Sequence, residues 1–456
     1  SLLVAGWPEL VNKTLPWEPY LVIDGLTRVF WPYATLIAGV LLNFSRRYMA
    51  GNHRMGFFYL NTVLFLGSVL VLSATNHLLV LLGAWVAMGV FMSRLIGHKS
   101  DWPQALAAGK LAQKYFLTSS LYVAVAVLAL YTNTGNLRIT AVLNRLPALP
   151  PQAWYLVVVG LLVGAVIQSS LFPVQNWLMS SMTAPTPASA LMHAGFVNVG
   201  GILLSRFAPV FTTESIIMIA ITLIGATSAV MGKIWKMVQT AIKRQLACST
   251  IAQMGFMLVQ CGLGYFTAAV THLILHGFYK GYLFLNSGNA IHRKSPHPTS
   301  QREPTPLRYF IGIITSALAA GIFMGLTGKG LHANSGIVLV FIVVLTVIHG
   351  TREIVNRIPL PRIVRYVVFP LLVAGGATVY SLIFNGVTAL MSDLPAVVSP
   401  TPFTWYHGLV MLTFTVVYIA VETWSFERFE ALYVYVLNAS QPHHETIVSS
   451  KEEYHV

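Results

Sequence analysis

The stretch Thr271 to Gly288, THLILHGFYKGYLFLNSG, decides how the chain is to be read: it has the length and apolarity of a membrane helix, yet carries His272, His276 and Lys280. In an α-helix, steps of four residues drift by only about 40°, so the three side chains line one face over roughly 12 Å. Each ionisable group at the centre of a bilayer costs roughly 2.5 to 3.5 kcal/mol on insertion scales, so three on one face call for partners or water. Two readings are open. Either the histidines satisfy backbone carbonyls and the lysine snorkels, or the three groups relay protons.

Outward from that helix, the composition is that of an all-α polytopic membrane protein. Of 456 residues, 55% are hydrophobic and 9% charged, against about 25% charged in soluble globular chains. Apolar runs of membrane-crossing length recur, centred near Ala38, Phe65, Met88, Ala124, Leu162, Val197, Leu223, Met257, Leu275, Leu318, Val343, Leu372 and Leu412, about thirteen transmembrane helices in all. A membrane β-barrel would show short alternating segments instead. The net charge of +14 sits in loops between spans, without a basic patch interleaved with aromatics, which argues against nucleic acid. Cys248 and Cys261 fall on one expected span, too far apart for a disulfide and without metal-ligand spacing. No phosphate loop, nucleophile–base motif or zinc cluster stands out, so the chain reads as a transport subunit without an enzyme site or cofactor of its own.

Loops after odd-numbered spans hold Arg46, Arg47, Arg54, Lys99, Lys110, Lys114, Lys236, Lys243 and Arg244, then Arg293, Lys294 and Arg302. The opposite loops offer little beyond Arg138, Arg145, Arg206 and Lys329. Positive charge marks the cytoplasmic side, so the C-terminus is expected there. The division is then a non-cytoplasmic segment over 1–26, read as processed or trimmed before Ser1, a transmembrane domain over 27–437 and a cytoplasmic tail over 438–456. In that tail, His443, His444 and Glu445 read as a frayed end ahead of partner contact or metal binding. The fifth span runs into FPVQNW at Pro173 and is expected to break there. Its Gln168, Ser169, Ser170, Gln175 and Asn176 form the polar cluster nearest in sequence to His193. All 14 acidic residues fall at loops, span ends or tails, which leaves no interior carboxylate to balance Lys280.

Three segments in order, MTAPTPASALMHAGFVNVGGILL from Met182, QTAIKRQLACSTIAQMGFM from Gln239 and the His/Lys helix, resemble the proton-translocating antiporter-like subunits of respiratory complex I and Mrp antiporters, over roughly Asp24 to Ile291. Within that superfamily the wording HAGFVNVGG, ACSTIAQMGFMLVQCGLG and HGFYKGYLFLNSG is most similar to the DabB family, membrane subunits of DAB inorganic-carbon accumulation complexes. The resemblance implies an antiporter-like fold of two inverted five-helix repeats with broken helices, over 56–206 and 215–351, followed by C-terminal helices over 364–425. It places His272, His276 and Lys280 on a central polar axis, His193 on the histidine of the PTP…ALxHA segment and Lys243 on the lysine of a short basic junction. Lys329 stands as the distal lysine of the second repeat or as a plain loop lysine. The first half departs from the family: Val86 follows Trp85 where a buried glutamate is usual, Gln168 stands for a lysine, and Ala241 for an acidic residue.

The same resemblance implies a bacterial plasma (inner) membrane location and a DabA-like zinc protein, similar to β-carbonic anhydrases, on the cytoplasmic face. The two would form a hetero-oligomer, including a dimer of heterodimers, in which a proton or sodium gradient drives hydration of CO2 to bicarbonate. Two alternatives stand beside it: an antiporter-like subunit of a respiratory or Mrp complex, and a nonconducting membrane anchor for a soluble enzyme.

Overall fold

In the computed structural model, which describes residues 20–288, 306–357, 361, 363–423 and 430–447, the chain runs as a series of helices. These are α1 (Gly25–Tyr48), α2 (Met55–Ala74), α3 (Leu78–Ile96), α4 (Pro103–Thr134), α5 (Ile139–Asn144), α6 (Pro151–Gln168), α7 (Asn176–Ser180), α8 (Thr186–Ala194), α9 (Val199–Arg206), α10 (Ala208–Thr212), α11 (Ser215–Val238), α12 (Ile242–Gly262), α13 (Phe266–Leu285), α14 (Pro306–Thr327), α15 (Gly336–Arg357), α16 (Phe369–Leu390), α17 (Trp405–Thr423) and α18 (Glu430–Ala439). Twelve of the thirteen expected span centres fall inside these helices, and Val197 falls on the short turn between α8 and α9. Nine segments among the described residues are long and apolar enough to cross a membrane, and Gly336–Thr351 and Trp405–Val421 are shorter apolar stretches. The antiparallel pair α12 and α13 is not among the nine. Lys243, Arg244 and Gln245 on one helix and His272, His276 and Lys280 on the other lower their hydropathy, so the helices richest in chemistry are the least lipid-like.

Two breaks interrupt the helices. At the first, α6 stops at Gln168, Ser170 takes a left-handed conformation with φ 56°, and a cis peptide joins Phe172 to Pro173 before α7 resumes at Asn176. Proline has no N–H to continue the ladder, which is why the span ends here; the break follows α6 rather than dividing it. At the second, Gly195 and a single turn over Phe196–Asn198 separate α8 from α9. Elsewhere small residues bring backbones together. A Cβ at Gly232 would lie 2.5 Å from Ala252 N, and one at Gly255 the same distance from Ala229 N, so α11 and α12 pack as closely as small-residue membrane contacts allow.

Two long-range anchors depart from expectation. Arg206, which read as a loop cation, is buried: its Nη1 reaches Asp24 Oδ2 at 2.6 Å and its Nη2 donates to Ser73 O. Asp24 also caps α1, accepting from Thr27 N at 3.0 Å, so the Asp24–Arg206 pair fastens the ends of α1, α2 and α9. The tail is not frayed as far as Ile447. Gln239 Nε2 donates to Ser440 Oγ at 2.6 Å, Arg244 Nη1 to Gln441 Oε1 at 3.2 Å and His443 N to Ser180 Oγ at 3.0 Å, so residues 440–447 strap one end of the bundle. Residues 1–19 of the N-terminal segment, the loop cations Arg293, Lys294 and Arg302, and residues 448–456 lie outside the described residues.

Candidate functional site

The α12–α13 hairpin sets the register of the site. Phe256 stands opposite His272, with ring centroids 5.2 Å apart, and Lys280 Nζ donates to Leu246 O at 2.8 Å. His272 and His276 stack one helical turn apart, with centroids 5.8 Å apart and planes 13° from parallel, as the spacing of four residues requires. Lys280 is fully buried and His276 nearly so. Neither ring nitrogen of His276 has a hydrogen-bond partner in the protein, and neither does His272 Nε2.

The broken α8–α9 segment brings in His193. Its Nδ1 lies 2.9 Å from Thr250 Oγ1, its Nε2 has no protein partner, and its ring stacks on Phe284 at 4.3 Å, one turn beyond Lys280. Lys243 Nζ donates to Ala184 O at 2.9 Å, just ahead of α8. His193 and Lys243 are thus brought to the His272, His276 and Lys280 ladder of α13, giving one cluster of titratable groups. None of the carboxylates of the described residues forms an ion pair with them.

Beside this set lies a contact the sequence did not announce. Tyr33 Oη donates to Ala194 O, a carbonyl freed by the break at Gly195, and Asn198 Nδ2 donates to the same oxygen at 2.6 Å. Any Cβ at position 277 would overlap the Tyr33 hydroxyl, so Gly277 is what lets α1 reach the break between His276 and Lys280. Thr250, Tyr33 and Asn198 join the candidate residues. Thr250 could have been suspected as a hydroxyl in an otherwise apolar helix interior; nothing local marks Tyr33.

Apart from His193, the groups of the first half that the resemblance sets against the second are polar rather than titratable. Trp85 Nε1 donates to Ser119 Oγ at 3.1 Å, which donates to Gly164 O at 2.9 Å, closing that chain of bonds, while Val86 is only partly buried. Gln168 is buried at the first break. Its Nε2, Ser169 Oγ and Gln175 Oε1 lack protein partners, and a Cβ at Gly200 of α9 would collide with Ser169 Oγ, so this cluster packs against the segment that follows His193. Lys329 stands apart from the set. The glycines before and after it, Gly328 at φ 68° and Gly330 at φ 80°, end α14, and its ammonium lies 4.8 Å from the Tyr265 ring at the far end of α13 from Lys280. Burial lowers its pKa. Its position is that of a loop lysine under an aromatic ring rather than one inside a span.

At the Lys243 end a cleft of about 870 Å³ opens among Tyr48, Gln104, Thr183, Lys243, Arg244 and Thr446. Among the described residues, the group able to offer three metal ligands is His443, His444 and Glu445 on the strap, with ligand atoms within 4.8 Å of one another. Glu445 there also lies 3.8 Å from Lys114 Nζ.

Comparison with known proteins matches the chain to a family. Residues 74–350 match the family described as NADH:quinone oxidoreductase/Mrp antiporter, transmembrane. The chain is 35% identical over 345 residues to a probable inorganic carbon transporter subunit DabB of Bacillus subtilis, covering 74% of this chain and 67% of that protein. It is 28% identical over 431 residues to the probable DabB of Hydrogenovibrio crunogenus, covering 92% and 80%. Across such curated relatives the chain spans from about half to four fifths of their length. Its fold is similar to a chain in the Mrp complex from Dietzia sp., with a TM-score of 0.58 at 23% identity over 93% of this chain and 45% of that one. The family match covers more than half of the chain and the B. subtilis relative is matched over two thirds of its length, so the chain belongs to the NADH:quinone oxidoreductase/Mrp antiporter transmembrane family, as a DabB-type member.

Proposed function

We propose that this chain is the ion-translocating membrane subunit of an inorganic-carbon complex in a bacterial inner membrane. It moves protons, or sodium in their place, along His193, Lys243, His272, His276 and Lys280, and energises a DabA-like zinc partner on the cytoplasmic face that hydrates CO2 to bicarbonate. The zinc and the hydration chemistry are assigned to the partner. The observation that carries the reading is the cluster of buried titratable groups without an ion-paired carboxylate.

Two positive charges about 6 Å apart repel by about 3 kcal/mol at an effective dielectric of 20. A proton arriving at one end of the set therefore favours release at the other, which is what a relay needs. Buried polar atoms without protein partners cost about 1–3 kcal/mol each unless water satisfies them. Water held by such atoms, on Gln168, Ser169, Gln175, His193, Asn198 and His276, is the proposed link from the first break to the ladder. Gln168 enters the pathway as a water-holding group, and Lys329, a loop lysine apart from the set, is left out of it.

Replacing Lys280 by Met cuts the titratable path while keeping an unbranched side chain. The expected result is loss of CO2-dependent growth rescue with the complex still assembled. Full rescue by a His272→Ala, Lys280→Met protein would contradict the relay, and copurification of quinone-reductase subunits alone would overturn the assignment to a carbon complex.

A further inference from the structure

We propose that the cleft at Lys243 is the docking site for an acidic segment of the soluble partner, and that a partner carboxylate placed beside Lys243 completes the ion entrance. The inference rests on the reading of the chain as a partner-coupled translocating subunit. Its starting point is an imbalance of charge. Lys243 and Arg244 are the charged side chains that line the cleft among the described residues. Lys99 adds its field to Lys243, and a turn deeper Lys280 of α13 sets its ammonium on Leu246 O of α12. The acidic residues of the same rim do not answer them. Glu445 is held toward Lys114 at 3.8 Å, Asp101 is exposed, and neither lines the cleft.

The start of α12 adds to the demand for an anion. Ala241, its N-cap, is exposed and makes no side-chain capping bond, although this 21-residue helix presents its first amide groups and the positive end of its dipole to the cleft. Lys243 uses one of its three N–H bonds on Ala184 O, and Arg244 bonds through Nη1 to Gln441 on the strap. Both retain donors for a carboxylate.

Size and lining choose between a free anion and a protein segment. A volume of about 870 Å³ is far more than bicarbonate needs, and lies in the range that holds a ligand of many atoms. Phe44, Met179, Met182, Leu285 and Pro442 give it apolar walls around the basic end. That combination fits a short peptide carrying an Asp or Glu among apolar side chains. The functional consequence is coupling: without the partner, Lys243 faces only like charge, and entry of a further proton is opposed; with it, the carboxylate both accepts the proton and offsets the field.

The test compares proton flux in proteoliposomes of the chain alone and of the copurified two-subunit complex under an imposed pH gradient, read with an entrapped pH-sensitive dye. The complex should conduct at least about tenfold faster, and an Ala241→Asp chain, carrying the carboxylate in cis, should recover much of that rate without the partner. Arg244→Gln should raise the partner's Kd about tenfold and flatten its dependence on salt. Equal flux from the chain alone and the complex, or an unchanged Kd for Arg244→Gln, overturns the docking site while leaving translocation in place. A partner-like gain in flux on deleting residues 448–456 would also overturn it, assigning the cleft to the chain's own Glu452 and Glu453. Absence of flux from every preparation, with Lys280→Met no different from the parent, overturns the translocation reading itself.

Discussion

The stretch from α2 to α9 and the stretch from α11 to α15 use similar means, long helices packed around a backbone break, but they differ in what the interior contains. The second carries His272, His276 and Lys280 on one face of α13. The first carries Trp85, Val86, Ser119 and Gln168, and one of its buried histidines, His193, leans across to Thr250 on α12. Helix packing and a proline-ended span need only shape and backbone chemistry, so they persist where charge is absent. Proton carriage needs titratable groups within reach of one another. In the proposed function that requirement is met by the second stretch plus one residue borrowed from the first.

The comparison can be broken first at its structural joint. Arg206→Met leaves Asp24 buried without its cation where α1, α2 and α9 meet, a loss of about 3–5 kcal/mol. Thermal unfolding in detergent should show a large fall in Tm, with both stretches destabilised together. The next effect is steric. Gly277→Ala puts a methyl into the Tyr33 hydroxyl and should cost about 1–3 kcal/mol, as overpacked cores do. Adding Tyr33→Phe should restore part of the lost Tm, because it relieves the overlap; no recovery would place the strain elsewhere.

Smaller effects sharpen the contrast. Gln168→Leu removes a water-holding group but no titratable one, so proton flux should fall about tenfold, or roughly 1.4 kcal/mol, with normal yield of protein. Smallest is the pH response of His98, a buried histidine of the first stretch with its ring edge-on to Phe58 at 5.6 Å and no protein partner for either nitrogen. Its pKa is lowered, first by burial and then by the charges of Arg54, His53 and Lys99. The unfolded chain therefore binds the proton more readily. The stability linked to this group is fully present above about pH 6.5 and declines as pH falls toward the lowered value. His98→Gln should flatten the fall in Tm between pH 7 and 5 by roughly 1–3 °C. An unchanged slope would remove His98 as the cause.

What was legible in the sequence was local. The ladder could be read because four-residue spacing within one helix fixes a common face, and the first break because Pro173 ends a ladder of backbone bonds wherever it falls. The partners that give these groups their setting are distant: His193 meets Thr250 across 57 residues, and Arg206 meets Asp24 across 182. Arg206 read as a loop cation because it follows an apolar run, and only the fold shows that the run ends inside the protein. The strap was hidden for the opposite reason. Ser440, Gln441 and His443 are polar enough to look solvated, and their order depends on Gln239, Arg244 and Ser180, which no spacing rule connects to them.

The central claim is that ion movement depends on the titratable set of the second stretch and only secondarily on the polar break of the first. Proton flux through the copurified complex in proteoliposomes, measured side by side for Lys280→Met and Gln168→Leu, tests it most directly. Lys280→Met should lose at least about 100-fold, the scale on which removal of a proton-transfer group acts, and Gln168→Leu clearly less. Parental flux from Lys280→Met, or a deeper loss from Gln168→Leu than from Lys280→Met, would contradict the account.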